Sequence, residues 1–223
     1  MVHFANYSEE NYLKALYKLE LRQVKKITNS AVAKALDLNP ATVLEMMRKM
    51  EQKKLVELLP DKSIKLTEKG SKKALRTIRR HRLWEVFLVK KLGFTWNEVH
   101  DLAEQLEHID SDELVNRLDE YLGFPPFDPH GDPIPDKLGK IKKQVAVPLT
   151  SCQQGPTYQV QHFAETSDAF LQYLGQVQIA PGSKIKIVGI NAYDQSYSLQ
   201  LGRRSVQVSE KAAANILVQP ADH

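Results

Sequence analysis

Two short helical runs separated by a three-residue break constrain this chain more than any other feature. Thr28-Asn29-Ser30 caps a run that carries Ala31, Val32, Ala35 and Leu36 at helical spacing. Asp37-Leu38-Asn39 interrupts it. Pro40, whose fixed φ suits the first turn of a helix, opens a second run reaching about residue 54. That run turns Val43, Met47 and Met50 to one side and Thr42, Glu45, Arg48 and Lys49 to the other. Residues 55–59, a turn at Pro60-Asp61-Lys62-Ser63, and residues 64–67 then read as a two-stranded ribbon. Two helices about a tight turn followed by a ribbon make a winged helix-turn-helix, which presents one helix to the major groove of DNA.

Charge supports the same reading. The net charge of +4 conceals a balance of +9 over residues 1–80, −7 over 81–140 and +2 over 141–223. A basic block is the footprint of a phosphate-binding surface, because neutralised phosphates release counterions. The acidic middle block also holds His81, His100, His108 and His130, a composition suited to a cation. With 42% hydrophobic and 26% charged residues the chain can bury a core. No apolar run is long enough to span a bilayer, and Met1-Val2-His3-Phe4-Ala5-Asn6 lacks the order of a signal peptide, so a cytoplasmic location without membrane contact is expected. The single cysteine, Cys152, excludes a disulfide framework and a multi-cysteine zinc site.

The pattern along the chain predicts a mainly α protein with a smaller β part. A helix over residues 8–20 opens on Ser8 as its cap and repeats Tyr12, Leu13, Leu16, Tyr17 and Leu19. A long helix spans 68–92 and stops at Gly93; further helices span 97–109 and, after a capping box at Ser111, 111–122. A turn-rich stretch over 125–135 and a linker over 137–143 follow. From residue 145 short runs of Val, Ile, Leu and Tyr alternate with polar turns, with one helical piece at 167–173. The clearest strands are 185–190 and 196–201, and an SH3-like β-barrel fits this tail. The expected organisation is a winged helix-turn-helix domain (1–71), a helical domain whose acidic, histidine-bearing composition suits a metal ion (72–143) and an SH3-like β domain (144–223).

His100, Glu104, Glu107 and His108 carry the chemistry. At i, i+4, i+7 and i+8 they form one stripe on a continuous helix, separate from the apolar stripe of Val99, Leu102, Ala103, Leu106 and Ile109. His81 and Glu85 repeat the i, i+4 spacing on the preceding helix. Imidazole and carboxylate without thiolate suit Mn²⁺ or Fe²⁺, and Zn²⁺ is also compatible. The same spacings suit His–Glu pairs on a solvated helix. Neither G-x-S-x-G nor HExxH occurs, so regulation by metal fits better than catalysis.

With these motifs in hand, the chain resembles the diphtheria-toxin-repressor family of metal-dependent transcriptional regulators, which includes the manganese transport regulators. The resemblance rests on residues 8–17, the helix-turn-helix, His81-Arg82-Leu83-Trp84-Glu85, Val99-His100-Asp101-Leu102-Ala103-Glu104 with Glu107-His108, and Asp128-Pro129-His130-Gly131 through Pro133-Ile134-Pro135. It implies an ancillary metal site of His81, Glu85 and His100, completed from the β domain by His162 and Glu165. It implies a primary site of Glu104, Glu107 and His108 with Asn11, where relatives carry Asp or Met. Asp128 matches a position at which some relatives place a cysteine ligand, and could supply a carboxylate there. Glu104 stands where iron-sensing relatives have a thiol, which tilts the choice towards Mn²⁺.

For DNA, Asn39, Ala41, Thr42 and Glu45 fall at the start of the recognition helix, where base edges are read. Arg48, Lys49, Lys62 and Lys65 suit phosphate, and Thr28 and Ser30 the backbone. A homodimer on a near-palindromic operator is expected, braced by apolar residues around Trp84, Phe87, Leu88, Leu114, Leu118 and Leu122. Repression of metal-uptake genes is implied by the resemblance. Two rival readings are a metal-dependent hydrolase built on the His/Glu cluster and a metal-independent winged-helix DNA-binding protein.

Overall fold

A computed structural model of the chain describes residues 3–142 and 145–221. Two compact units emerge: residues 1–81, 107–110 and 135–140 form one, and residues 82–106, 111–134 and 141–223 the other. The boundary expected at 143/144 falls on residues outside those described.

The first unit begins with helix α1 (His3–Leu21), followed by α2 (Asn29–Leu36) and α3 (Pro40–Gln52). Thr28 caps α2 by accepting from the Ala31 amide, and Asn39 caps α3 by accepting from the Ala41 amide, with Pro40 in the first turn. Asp37 ends α2 in the left-handed conformation that its short polar side chain tolerates. Strands β1 (Val56–Leu58) and β2 (Ile64–Leu66) pair antiparallel as the wing. Tyr12, Leu13, Leu16, Val32, Val43, Met47, Met50, Leu55 and Leu66 make one core from all these elements. Ser8 is no cap: α1 begins at His3, and no Gly or Pro between them interrupts it.

Helix α4 (Glu68–Leu92) follows the wing. Gly70 in its first turn lies against the wing: a Cβ built there would sit 2.0 Å from the Leu55 carbonyl oxygen. In the second unit, α5 (His100–Leu106) is shorter than the expected 97–109. The Thr95 amide donates to the Glu98 carboxylate (3.2 Å) and the Glu98 amide to the Thr95 carbonyl (3.0 Å), so a separate capped turn precedes the helix. Beyond Leu106 the chain turns, so Glu107 and His108 follow the helix instead of continuing its stripe, and Ile109 is exposed. Helix α6 (Asp112–Tyr121) starts on the Ser111 cap as expected. Leu83, Val86, Val115, Leu118, Leu122 and Ile134 pack together, with Trp84 and Phe87 partly buried against them; Leu114, expected at the same face, is exposed.

The rest of the second unit is a six-stranded antiparallel sheet in the order β3-β8-β4-β5-β6-β7. Its strands are β3 (Val147–Pro148), β4 (Thr157–Phe163), β5 (Lys184–Ile190), β6 (Tyr197–Leu201), β7 (Arg204–Val208) and β8 (Ile216–Pro220). Helices α7 (Asp168–Val177) and α8 (Glu210–Asn215) accompany it, and Leu149, Leu171, Leu174, Ile185 and Leu199 lie fully buried in its core. Gly70→Ala should destabilise the first unit by about 2 kcal/mol, because backbone must shift to admit the methyl despite the better helix propensity of alanine. The unfolding midpoint in urea measures this; an unchanged midpoint would contradict the tight approach of α4 to the wing.

Candidate metal centres and DNA-facing surface

Glu107 is fully buried, and an ionised carboxylate in that position needs positive charge and hydrogen-bond donors around it. Lys14 on α1 supplies both, its Nζ lying 2.7 Å from Oε1 and 2.8 Å from Oε2. His81 Nδ1 lies 2.7 Å from Oε2, and His108 Nε2 3.6 Å from Oε1. His108 is held from its other nitrogen: Nδ1 is 2.7 Å from Glu10 Oε2. In a neutral ring that bond places the proton on Nδ1 and leaves Nε2 as the acceptor on the Glu107 side, an arrangement that carboxylates standing behind the ligand impose on metal-binding histidines. Glu10 is itself fixed, since Arg80 donates to its Oε1 (2.6 Å) and reaches Asp110 (3.1 Å).

Asn11 precedes Lys14 by three residues, so these two share a side of α1. Its Oδ1 is buried with no hydrogen-bond partner, an acceptor left for a cation. The residues assembled here therefore fit a hard divalent ion by two observations: an orphaned amide oxygen and an imidazole of fixed tautomer. Glu104, expected in the same set, belongs to the other unit, where its Oε1 lies 3.8 Å from His100 Nε2.

The second unit gathers Glu85, Asp128 and His130, all buried, with ligand atoms within 4.8 Å of one another. Glu85 Oε1 lies 3.4 Å from both His130 Nδ1 and His100 Nδ1. His130 Nε2 donates to the Trp96 carbonyl (2.8 Å), so Nδ1 is the nitrogen offered to the group. Asp128 accepts the His130 amide (2.8 Å) and the Asp132 amide (2.9 Å) on Oδ1, and Arg82 Nε lies 3.4 Å from Oδ2. Burial pushes the Asp128 carboxyl well above its ordinary range, and Asp132 and Glu85 add to this against the opposing charges of Arg82 and His130. Burial works to lower His130, yet the Glu85 carboxylate, with help from Asp128, carries it up to about 9. Both shifts have one meaning: this pocket carries more negative charge than its burial tolerates, and a proton or a metal ion relieves it.

The loop holding Asp128 and His130 meets β4 closely. At Gly131, with φ +86, a Cβ would come 1.8 Å from the Gln161 carbonyl oxygen, so only glycine permits the approach. His162, the next residue of β4, has a buried Nδ1 without a partner, and burial lowers its affinity for a proton, leaving a neutral ring suited to ligation. Glu165 instead accepts from Ser167 Oγ (2.7 Å) and is not part of the Glu85–Asp128–His130 group. Cys152 faces the Pro148 carbonyl, and burial raises its thiol pKa.

His81, which the resemblance placed with Glu85 and His100, lies with its Nδ1 against Glu107 Oε2. Asp128 stands beside Glu85 and His130. His130, counted among the histidines of the acidic block but assigned no role, is central to the second group. Its signal was the Pro-His-Gly turn next to Asp128. Glu10 and Lys14 were also missed, because a carboxylate and an amine on a capped helix read as solvated residues.

Of the residues expected to meet DNA, Ser30, Asn39, Ala41, Thr42, Glu45, Arg48 and Lys49 are exposed, as are Lys62 and Lys65 in the wing. Thr28 is half-buried. The Asn39 amide oxygen is committed to capping, and Glu45 pairs with Lys49 at 2.7 Å.

Comparison with known proteins agrees with this architecture. Residues 6–64 match the model of the iron dependent repressor N-terminal DNA binding domain, 67–136 that of the iron dependent repressor metal binding and dimerisation domain, and 147–220 that of the FeoA domain. The chain is 31% identical to the diphtheria toxin repressor of Corynebacterium diphtheriae, over 94% of this chain and 96% of that one. It is 37% identical to the iron-dependent repressor IdeR of Mycobacterium tuberculosis over 126 residues; that match spans 56% of this chain and about half, 54%, of the relative. A solved manganese-dependent transcriptional repressor in complex with manganese superposes with a TM-score of 0.85 at 33% identity, covering 96% of this chain and 100% of that one. ScaR with bound Cd²⁺ superposes at 0.82 with 34% identity, covering 96% and 99%. With the DNA-binding, metal-binding and FeoA models matched one after another along the chain and a relative of 31% identity matched over nearly its whole length, the chain belongs to the iron-dependent, diphtheria-toxin-repressor family of transcriptional regulators.

Proposed function

We propose that this chain is a metal-activated repressor that binds a near-palindromic operator as a homodimer in the cytoplasm when Mn²⁺ or Fe²⁺ is plentiful. One observation carries the reading: His108, on the turn after α5, is oriented by Glu10 of α1, the first helix of the DNA-binding region. An ion held by Asn11, Glu107 and His108 would tie α1 to that turn and favour whichever arrangement of the reading head keeps those ligands together. A second ion position uses Glu85, Asp128 and His130, with His100, Glu104 and His162 as the further donors of that unit. Oxygen and imidazole donors without thiolate favour Mn²⁺ or Fe²⁺, and Zn²⁺ would bind in vitro. The family is one of transcriptional repressors, which removes support for a hydrolase. No helix among the described residues is long and apolar enough to cross a membrane.

The recognition helix α3 would enter the major groove by its N-terminal end, with Ala41, Thr42 and Glu45 towards bases and Arg48, Lys49 and Lys62 towards phosphates. Its register would be fixed in part by Ser30 and by the backbone around Thr28. Genes for metal uptake are the proposed targets.

Equilibrium binding of a labelled promoter fragment with Mn²⁺, Fe²⁺ or chelator tests the function. Metal should raise affinity on the order of 100-fold, and equal affinity under chelation would leave a metal-independent DNA-binding protein. His108→Ala should abolish the metal response while the circular dichroism of the chain stays unchanged; a normal response would overturn the first ion position. His130→Ala should remove one equivalent of Mn²⁺ in equilibrium dialysis and leave the other bound. Unchanged stoichiometry would overturn the second position. Arg48→Ala should weaken operator binding similarly across sequences and reduce the salt slope by about 1, the signature of a lost phosphate contact.

A further inference from the structure

Lys14 is the unexpected member of the first group. A lysine is rarely buried unless paired, and here its ammonium grips both oxygens of a carboxylate that is itself buried. Glu107 Oε2 is also engaged by His81, and its Oε1 faces His108. A metal ion approaching Glu107 therefore meets an acceptor whose oxygens are already shared with a fixed positive charge.

We infer that Lys14 is a tethered competitor of the metal: its ammonium neutralises Glu107 when no ion is bound, yields at least one oxygen when an ion arrives, and thereby sets the affinity of the first ion position. This rests on the reading of Glu107 as a metal ligand. The physical basis is a comparison of two cations for one buried anion. Without Lys14, the metal-free state would hold Glu107 with less compensation. A divalent ion would then gain the whole of its attraction for the carboxylate, with no repulsion from an amine a few ångströms away. With Lys14 in place, part of that attraction is spent on displacing it. A metal sensor needs such a lowered affinity, since its site must empty when the ion becomes scarce. The neighbouring cations do not substitute for it: Arg80 is committed to Glu10 and Asp110.

The test is Mn²⁺ affinity of the full chain, read by competition with a fluorescent chelator at fixed pH and ionic strength. Wild type is compared with Lys14→Met, Lys14→Gln and Lys14→Arg. Met and Gln should each tighten the first ion position at least tenfold, while Arg, which keeps the charge, should bind within a few fold of wild type. In the absence of metal the Met variant should melt below wild type, and saturating Mn²⁺ should close the gap. If Lys14→Met does not fold, the Gln variant, which keeps a hydrogen-bond donor for Glu107, carries the test alone. Wild-type uptake with unchanged or weaker affinity in the folded neutral variant overturns the role of Lys14 alone. Failure of wild type itself to take up Mn²⁺ at this position overturns the ligand reading and the competitor with it.

Discussion

A carboxylate removed from water has to be answered by positive charge, and much of the first unit is arranged around answering Glu107. Lys14 comes from α1, His81 from α4 and His108 from the turn beyond α5, so three separate segments converge on one anion. Removing a single partner from such a buried set typically costs roughly 3–5 kcal/mol. The turn at residues 107–110 thus stays with the N-terminal helices although α5 itself belongs to the other unit.

Three consecutive residues of α1 divide the work of connecting this anion to the reading head. Glu9 is buried and bridges Lys53, just past the recognition helix, and Lys73 of α4, at 2.5 Å each. Burial alone would raise its pKa; the two lysines more than reverse that and hold it below the usual carboxylate range. Glu10 orients His108, and Asn11 offers its unpartnered oxygen. A shift of α1 by a fraction of a turn would disturb the contacts of Glu9 and Glu10 together, which is how a small event at an ion position could reach α3. The second group is built differently. Its electrostatics come from a tight loop, Asp128 to Asp132, pressed onto β4 by a glycine, and from a histidine whose tautomer a backbone carbonyl sets.

Local signals in the sequence located much of this. The Thr28 cap, Pro40 and the Ser111 cap each rest on neighbouring residues, and each appears where the pattern puts it. The long helix from Glu68 to Leu92 was equally plain from its period and from Gly93. What failed was extrapolation along a period. Four ligand-type residues at i, i+4, i+7 and i+8 fit one helix, but α5 stops at Leu106, and the two halves of the stripe go to different units. Helical spacing reports which residues could share a face and is silent on where the helix ends. His130 and Lys14 were illegible for another reason: their partners, Glu85 and Glu107, lie 45 and 93 positions away, and only the fold brings them within reach. The short helix α8, six residues over a run of alanines, carries too little periodicity to be seen among strands.

The account stands or falls on an ion beside Glu107. Crystals grown with Mn²⁺, measured at the manganese absorption edge, locate such an ion without reference to activity. The account predicts an anomalous peak within coordination distance of Asn11 Oδ1, a Glu107 oxygen and His108 Nε2, with Lys14 no longer spanning both oxygens. A map with no peak there and Lys14 still gripping the whole carboxylate would contradict it.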